Sequence, residues 1–400
     1  MIDATRTIGD ELGDILSERP EAVRERELRT LEDLLRANNN RVVLFGSGSA
    51  GARALSCLRS IGVEPLAFAD STPATWGRTV DGMAVLSPAE AATRFGSDAL
   101  FIVSIWNAKH RFATTKKQLH ELGARAVEPM SSVQWRFPEH FLPFFSLDLP
   151  HRLVRERAEI ARAAELWADD RSRAEYLAHI RWRASGDFDA VPAPVSEMQY
   201  FPDFFELSPS EVFIDCGAYD GDTLREFLKR SRGIFRHVLS VEPGPDTFAA
   251  LQTSIAALPA SVRDRVAIER VAVGERRETL RFDVGDGTGG HVSDAGACVV
   301  EGTTLDRLCA PLRTTYIKMD IEGAEGAALA GGRNTIVRDR PILAICVYHR
   351  PTDLWRLPLF VHDLVPDYRM YLRSHLNDGW DTVAYAVPPE RVAARAGAGT

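Results

Sequence analysis

What the chain has little of narrows the field first. Five cysteines in 400 residues, Cys57, Cys216, Cys298, Cys309 and Cys346, are odd in number and scattered. With no CxxC pair and no His/Cys cluster, neither a disulfide framework nor a zinc site is expected. Cys216 and Cys346 fall inside apolar runs, where a thiol serves as a small hydrophobe. No apolar run approaches the roughly 20 residues that cross a bilayer, so no membrane span is expected. The opening MIDATRTIGDELGDIL lacks a basic start followed by an apolar stretch; no secretory signal is read there, and a cytoplasmic location is expected. A net charge of −8 lacks the basic excess of a general nucleic-acid binder. Arg152, Arg155 and Arg157 alternate with glutamates and read as a solvated helix face. No internal repeat and no extended low-complexity segment is found.

What is present is enough chain for two domains. Residues 1–40 carry apolar positions at helical spacing, divided by Pro20 into two N-terminal helices. Residues 41–135 alternate strand and helix: RVVLF, the glycine turn GSGSAG, a helix, PLAFAD ending in Asp70, DALFIVSIW, and a helix over 112–122 that Gly123 terminates. This predicts a small parallel α/β domain. Residues 136–195 differ: prolines among phenylalanines predict an extended connector over 136–150, followed by a charged helical stretch over 151–184 whose surface would suit self-association. Residues 196–388 repeat the α/β grammar with longer strands, among them EVFIDCG, HVLSVEP, RVAIERVAVG, TYIKMDI and PILAICVY. They close with a hairpin, YRMYLRSH and DTVAYAVP, about a turn at Asn377-Asp378-Gly379. Residues 389–400 read as a flexible tail.

Two glycine turns carry candidate chemistry. GSGSAG, Gly46–Gly51, fits G-x-G-x-x-G between a strand and a helix, with Asp70 at the end of the next strand. That suits a nucleotide or nucleotide-sugar; turn glycines kept for packing explain the motif equally well. The second turn, FIDCGAYDGDT, lacks the spacing for a pyrophosphate. Glu242 ends its second strand, where a carboxylate can accept both hydroxyls of a ribose. Asp215 and Asp220 would repel a dinucleotide's phosphates and suit an amine and a sulfonium cation, which favours S-adenosylmethionine over NAD.

These blocks carry a resemblance. EMQYFPDFFELSPSEVFIDCGAYDGDT, VEPGPDTF, TTLDRL, YIKMDIEGAEGAAL and VYHRPTDLWRLPLF together resemble the FkbM family of methyltransferases over residues 197–388. The first half more weakly resembles Rossmann-like modules of polysaccharide-biosynthesis proteins. The resemblance implies an α/β chain of two Rossmann-like domains, the C-terminal one a class I methyltransferase sheet closed by an antiparallel hairpin. It also implies methyl transfer from S-adenosylmethionine to a hydroxyl oxygen. Under it, Asp215, Gly217, Ala218, Tyr219 and Gly221 surround the methionine end of the cofactor, Glu242 holds the ribose, Pro243 packs near the adenine, and Ala272 and Val273 line the adenine pocket. Gln199 and Tyr200 either close over the cofactor or belong to an aromatic core.

The reaction needs an acceptor oxygen in line with the S–CH3 bond and a route for its proton. Asp320 and Glu322, at the end of TYIKMDI, and His349, at the end of PILAICVY, fall where ligands collect in open α/β sheets. Asp320 is expected to orient the acceptor, with His349 or Glu322 as base; the plainer alternative makes Asp320 or Glu322 a helix cap. Asp353 reads as an N-cap. The three side chains are chemically able to hold Mg2+, but without a paired-aspartate motif no metal is expected. The acceptor expected is a sugar hydroxyl of a glycan or glycan precursor. The alternatives are a small secondary metabolite, a non-catalytic S-adenosylmethionine-binding scaffold, and an oxidoreductase fusion with NAD at Gly46–Gly51.

Overall fold

The structure, a computed structural model, describes residues 7–285, 290–293 and 295–394. The chain divides into two compact units. One comprises the chain up to Ala161 with Ala174–Pro194 and Leu376–Trp380; the other comprises Arg162–Arg173, Val195–His375 and the chain from Asp381 on.

The first unit begins with helices Ile8–Ile15 and Pro20–Ala37. Thr7 and Asp10 cap the first reciprocally, and Pro20 opens the second at the position where its missing N–H costs nothing. Six strands follow: β1 (Val42–Phe45), β2 (Ala67–Ala69), β3 (Thr79–Val80), β4 (Met83–Leu86), β5 (Leu100–Val103) and β6 (Ala126–Pro129). Their order is β3-β4-β2-β1-β5-β6, and every neighbouring pair except β3–β4 is parallel. β1 and β5, VVLF and LFIV, are buried at every residue, as strands covered on both faces must be. The order reverses between β1 and β5, and the Gly46 turn leaves β1 at that reversal.

The glycine turn is closed by its own residues. A Cβ on Gly51 would stand 2.0 Å from the Gly46 carbonyl oxygen, so packing alone requires glycine there. Asp70 is equally committed. Its Oδ2 accepts from the Ser47 N–H at 2.9 Å and the Ser47 hydroxyl at 2.6 Å, and its Oδ1 from the Thr72 N–H at 2.8 Å. Burial would raise its pKa, but these bonds hold it below the ordinary value. Asp70, expected as a ribose acceptor, thus also latches the turn.

Two stretches depart from expectation. Residues 136–150 are not an extended connector: Ser131–Arg136 and Pro138–Phe141 are short helices, the second started by Pro138 at its first position. The charged stretch 151–184 is three helices, Pro150–Arg155, Arg157–Ala164 and Asp170–Ser185. Residues 389–392, expected to belong to a flexible tail, are held in place. Pro389–Arg391 form a 3-10 turn, Arg391 pairs with Glu211 at 2.8 Å, and Val392 bridges Phe205. The buried Glu211 needs that cation, which ties the segment down; residues 395–400 lie outside the described residues.

The second unit holds β7 (Val212–Cys216), β8 (His237–Val241), β9 (Val266–Glu269), β10 (Ala272–Val273), β11 (Glu278–Asp283), β12 (His291–Val292), β13 (Cys298–Thr303), β14 (Tyr316–Met319), β15 (Ile342–Cys346), β16 (Arg369–Ser374) and β17 (Thr382–Val387). The main sheet runs β16-β17-β15-β14-β7-β8-β9, with β17 antiparallel to both neighbours and the rest parallel. The expected closing hairpin is present. RVAIERVAVG, read as one strand, is two: β9 stays in the main sheet, while β10 joins a second sheet ordered β10-β13-β11-β12. The charged Glu269-Arg270 pair separates its two apolar halves.

The order of the main sheet reverses between β14 and β7. Aromatic rings fill the space around these strands. Phe213 stacks on Phe227 at 4.8 Å, and Phe201 meets Phe213 and Tyr316 edge-on at 5.8 and 5.7 Å. Such pairs contribute about 0.5–1.5 kcal/mol each beyond area burial. The aromatic run at Phe201, Phe204 and Phe205 is therefore core, buried to 7% exposure or less.

Candidate active site at the β7/β14 switch point

Where β7 ends, the backbone makes two left-handed residues before Gly221, Gly217 (φ 81°) and Tyr219 (φ 46°). Gly217 has no alternative: a Cβ there would lie 1.8 Å from the Asp320 carbonyl oxygen. The N–H groups of Gly217 and Ala218 both bond the Val241 carbonyl, at 2.9 and 3.1 Å, clamping the turn to the end of β8. Gly221 then starts the helix Asp222–Arg230.

Glu242 stands directly after β8 and joins this turn. Its Oε1 accepts from the Gly244 N–H at 2.9 Å and the Thr247 hydroxyl at 2.7 Å; its Oε2 accepts, among the described residues, only from the Tyr219 N–H at 3.0 Å. A carboxylate offers about four lone-pair sites, so Oε2 retains capacity for a further hydroxyl. Pro243 is half-buried. Ala272 and Val273 are buried in the second sheet, where Ala272 shares a cluster with Phe282 and Val300. The Phe282 ring also lies 3.6 Å from the Cβ position of Gly244. It therefore links the Glu242 turn to Ala272, a neighbour that spacing did not reveal.

The charge reasoning at this turn needs correction. Asp215 is fully buried, and its Oδ1 lies 3.2 Å from the Lys318 ammonium, which also donates to the Gly217 carbonyl at 2.6 Å. Burial pushes the Asp215 carboxyl up to about 6 although Lys318 pulls the other way. Asp220 pairs with Arg225 at 2.8 Å. Both acids thus have their own cations, and neither presents uncompensated charge to a sulfonium.

On the other side of the switch point, Asp320 follows β14. Its Oδ2 accepts from the Tyr200 hydroxyl at 2.8 Å, and its Oδ1 lies 3.4 Å from His349 Nε2. Burial works against the Asp320 carboxylate, but Lys318, His349 and the Tyr200 hydroxyl outweigh it and hold its pKa below the ordinary value. Glu322, a non-glycine residue at φ 54°, brings its Oε2 to 3.6 Å from the same Nε2. Burial raises its pKa to about 7. Left-handed backbone at such residues costs of order 1–3 kcal/mol and clusters at functional sites.

His349 is held from behind. Its Nδ1 lies 2.8 Å from Oε1 of Glu325, a fully buried carboxylate that also accepts the Ile321 N–H at 2.9 Å. Burial would lower the imidazole pKa; Glu325 first, then Asp320 and Glu322, raise it to about 10. His349 thus holds its ring proton more firmly than a free imidazole does. The helix Glu325–Ala330 takes Ala324 as its N-cap with no side-chain bond, so neither Asp320 nor Glu322 caps it. Asp353 is not an N-cap either. It is the first helical residue after Thr352, buried, and accepts the Arg350 N–H at 3.1 Å.

The structure thus brings Asp320, Glu322 and His349 together, and places Gly217, Ala218, Tyr219, Gly221 and Glu242 in the adjoining turn. Sequence reasoning missed Lys318, Glu325 and Thr247. A lysine inside the apolar run TYIKMDI was the available signal for the first, since a buried ammonium demands a counterion. Tyr200 faces the Asp320 carboxylate rather than the Glu242 turn.

A seven-stranded sheet with an antiparallel hairpin, a glycine turn and an acid after its second strand defines a class of protein, the Rossmann-like methyltransferase domain. The family model for the methyltransferase FkbM domain matches residues 215–378, which include the turn, Glu242, Asp320 and His349. The chain is 25% identical over 212 residues to 2-O-methyltransferase NoeI of Sinorhizobium fredii (strain NBRC 101917 / NGR234), a match covering 46% of this chain and 83% of that protein. A crystal structure of methyltransferase FkbM from Methylobacillus flagellatus KT shares the fold. It matches over 94% of this chain and 99% of its own, with a TM-score of 0.73 and 23% identity. Among the described residues, no helix is long and apolar enough to cross a membrane.

Proposed function

We propose that the second unit transfers a methyl group from S-adenosylmethionine to a hydroxyl oxygen, that of a sugar in a glycan or glycan precursor. The observation that carries the reading is Glu242, a carboxylate at the ribose position of the fold, with Oε2 retaining acceptor capacity beside the Gly217–Gly221 turn. The matched family supports methyl transfer. The name of the NoeI relative, a 2-O-methyltransferase, supports oxygen as the acceptor atom. The sugar rests on the weaker resemblance of the first half to polysaccharide-biosynthesis modules. A nucleotide at Gly46–Gly51 is not carried into the proposal.

In the step, the S–CH3 bond breaks with its electron pair passing to sulfur, and a C–O bond forms to the acceptor. The sulfonium becomes a neutral thioether, and the hydroxyl proton leaves through the carboxylates at the end of β14. Asp320, already holding the Tyr200 hydroxyl, orients the acceptor. Proximity and alignment supply much of the acceleration.

Calorimetry with S-adenosylmethionine tests the reading. Each hydrogen bond to a charged group is worth about 1.5–3 kcal/mol, so Glu242→Ala is expected to weaken binding by about 10–100-fold. Glu242→Gln, which keeps an acceptor oxygen, is expected to lose less. Failure of folded wild-type protein to bind overturns the assignment of the cofactor.

A further inference from the structure

We propose that a cavity in the first unit, between the helices Pro20–Ala37 and Pro150–Arg155, binds a small organic phosphate through Arg24, Arg155 and His151. The cavity measures about 380 Å³, within the range of small-molecule sites. All its lining residues precede Ala161, so the first unit builds it alone. Nothing in the inference depends on methyl transfer in the second unit.

Spacing alone made Arg152 and Arg155 a solvated helix face, but in the fold both line this cavity. The helix Pro20–Ala37 presents Arg24 and Glu27 one turn apart, on the same face. The short helix supplies His151, Arg152 and Arg155. Glu27, 2% exposed, joins the two helices. Its Oε1 accepts the His151 N–H at 2.6 Å, and its Oε2 stands 2.8 Å from the His151 Nδ1. The carboxylate thereby fills the N-terminus of the short helix, and side chains are what the cavity offers a ligand.

The remaining donors and charges point to the ligand. A carboxylate only accepts, so His151 Nδ1 carries the proton and Nε2 of the neutral ring is an acceptor. His151 is 8% exposed, and among the described residues its Nε2 has no hydrogen-bond partner. Arg152 is matched by Asp148 at 2.9 Å, and Glu27 by the two His151 nitrogens. Arg24 and Arg155 are unmatched. Among the described residues neither forms an ion pair or a side-chain hydrogen bond, not even with Glu21 or Glu159 one turn away.

Two guanidiniums and one imidazole acceptor, brought from two helices, suit a phosphate ester. Its oxygens and charge satisfy both guanidinium forks, and in its singly protonated form the P–OH donates to Nε2. A carboxylate offers two oxygens and no such proton. A phosphate group alone is far smaller than the cavity, whose remaining wall includes Trp135, Pro138 and Leu149. That apolar wall fits a carbon body attached to the phosphate.

Phenyl phosphate, with inorganic phosphate beside it, is the probe, titrated by calorimetry into the full-length protein at physiological salt. One equivalent of phenyl phosphate is expected to bind, about tenfold more tightly than inorganic phosphate, because only the ester buries a ring against the apolar wall. Arg24→Gln and Arg155→Gln are each expected to weaken it about 10–100-fold, the worth of a hydrogen bond to a charged group. Both positions are exposed, so both variants are expected to fold, and melting temperature without ligand checks this. Folded wild type that leaves millimolar phenyl phosphate unbound overturns the site. So does binding that survives both substitutions, or that excess S-adenosylmethionine displaces, since either result places the probe elsewhere in the chain. Equal affinity for the ester and the inorganic ion overturns the organic ligand.

Discussion

Lys318→Met is expected to cost about 3–5 kcal/mol of unfolding free energy, the usual consequence of leaving one partner of a buried ion pair uncompensated. Lys318 and Asp215 are register neighbours on β14 and β7, 1% and 0% exposed. The ammonium is the aspartate's counterion at 3.2 Å, ties down the Gly217 carbonyl, and lies 5.1 Å from the centre of the Tyr200 ring. Methionine reproduces the stem and none of these. Urea denaturation of the second unit's transition measures the loss, and Asp215→Asn/Lys318→Met is expected to recover part of it, because no bare charge remains. The pH dependence has a definite sign. Burial raises Asp215 to about 6 even with Lys318 present, so removing the lysine raises it further. A carboxyl whose folded pKa exceeds its unfolded value contributes most stability below the unfolded pKa and loses it as pH rises. The deficit of Lys318→Met is therefore expected to be smallest near pH 4 and to grow through pH 6 and above. A deficit independent of pH, or below about 1 kcal/mol at neutral pH, contradicts the pairing.

The same pair shows where sequence reasoning reached its limit. Strand runs such as FIDC, YIKM and ILAIC declared themselves through continuous apolar character, and the order of a methyltransferase sheet followed from their resemblance to a family. The ends of those strands named Asp320, Glu322 and His349. What periodicity does not encode is which charges neutralise one another across 100 residues. Asp215 and Asp220 read as an electronegative turn, whereas Lys318 and Arg225 had already claimed them. Asp70 read as a ribose acceptor, and its bond to the Ser47 N–H could not be seen in the spacing. Glu325 looked like one more acid in EGAEGAAL, and only the fold sets it behind His349. Short elements failed for a related reason. β10 has two residues and β3 two, too few for alternation to register, and Pro138 marks a helix start as readily as a connector.

Asp320→Asn is expected to lower methyl transfer by about 10²–10⁴-fold, the range that a positioned acid or base contributes, while leaving S-adenosylmethionine affinity unchanged. The substitution is nearly isosteric, and the amide oxygen still accepts from the Tyr200 hydroxyl, so local packing is retained. What disappears is the negative charge that faces His349 and the acceptor. The loss should fall on turnover because Asp320 lies across the switch point from Glu242, whose bonds are to the turn after β7 and to Thr247. S-adenosylhomocysteine formed with whichever sugar acceptor the wild type methylates measures the rate, and calorimetry measures the affinity. A variant that keeps wild-type turnover removes Asp320 from the chemistry. A variant that loses turnover and cofactor affinity together makes it a support of the turn through the Asp320 carbonyl that crowds Gly217. Only a rate defect at constant affinity fits a carboxylate that orients the acceptor. That result would also count against the non-catalytic scaffold, which has no rate to lose.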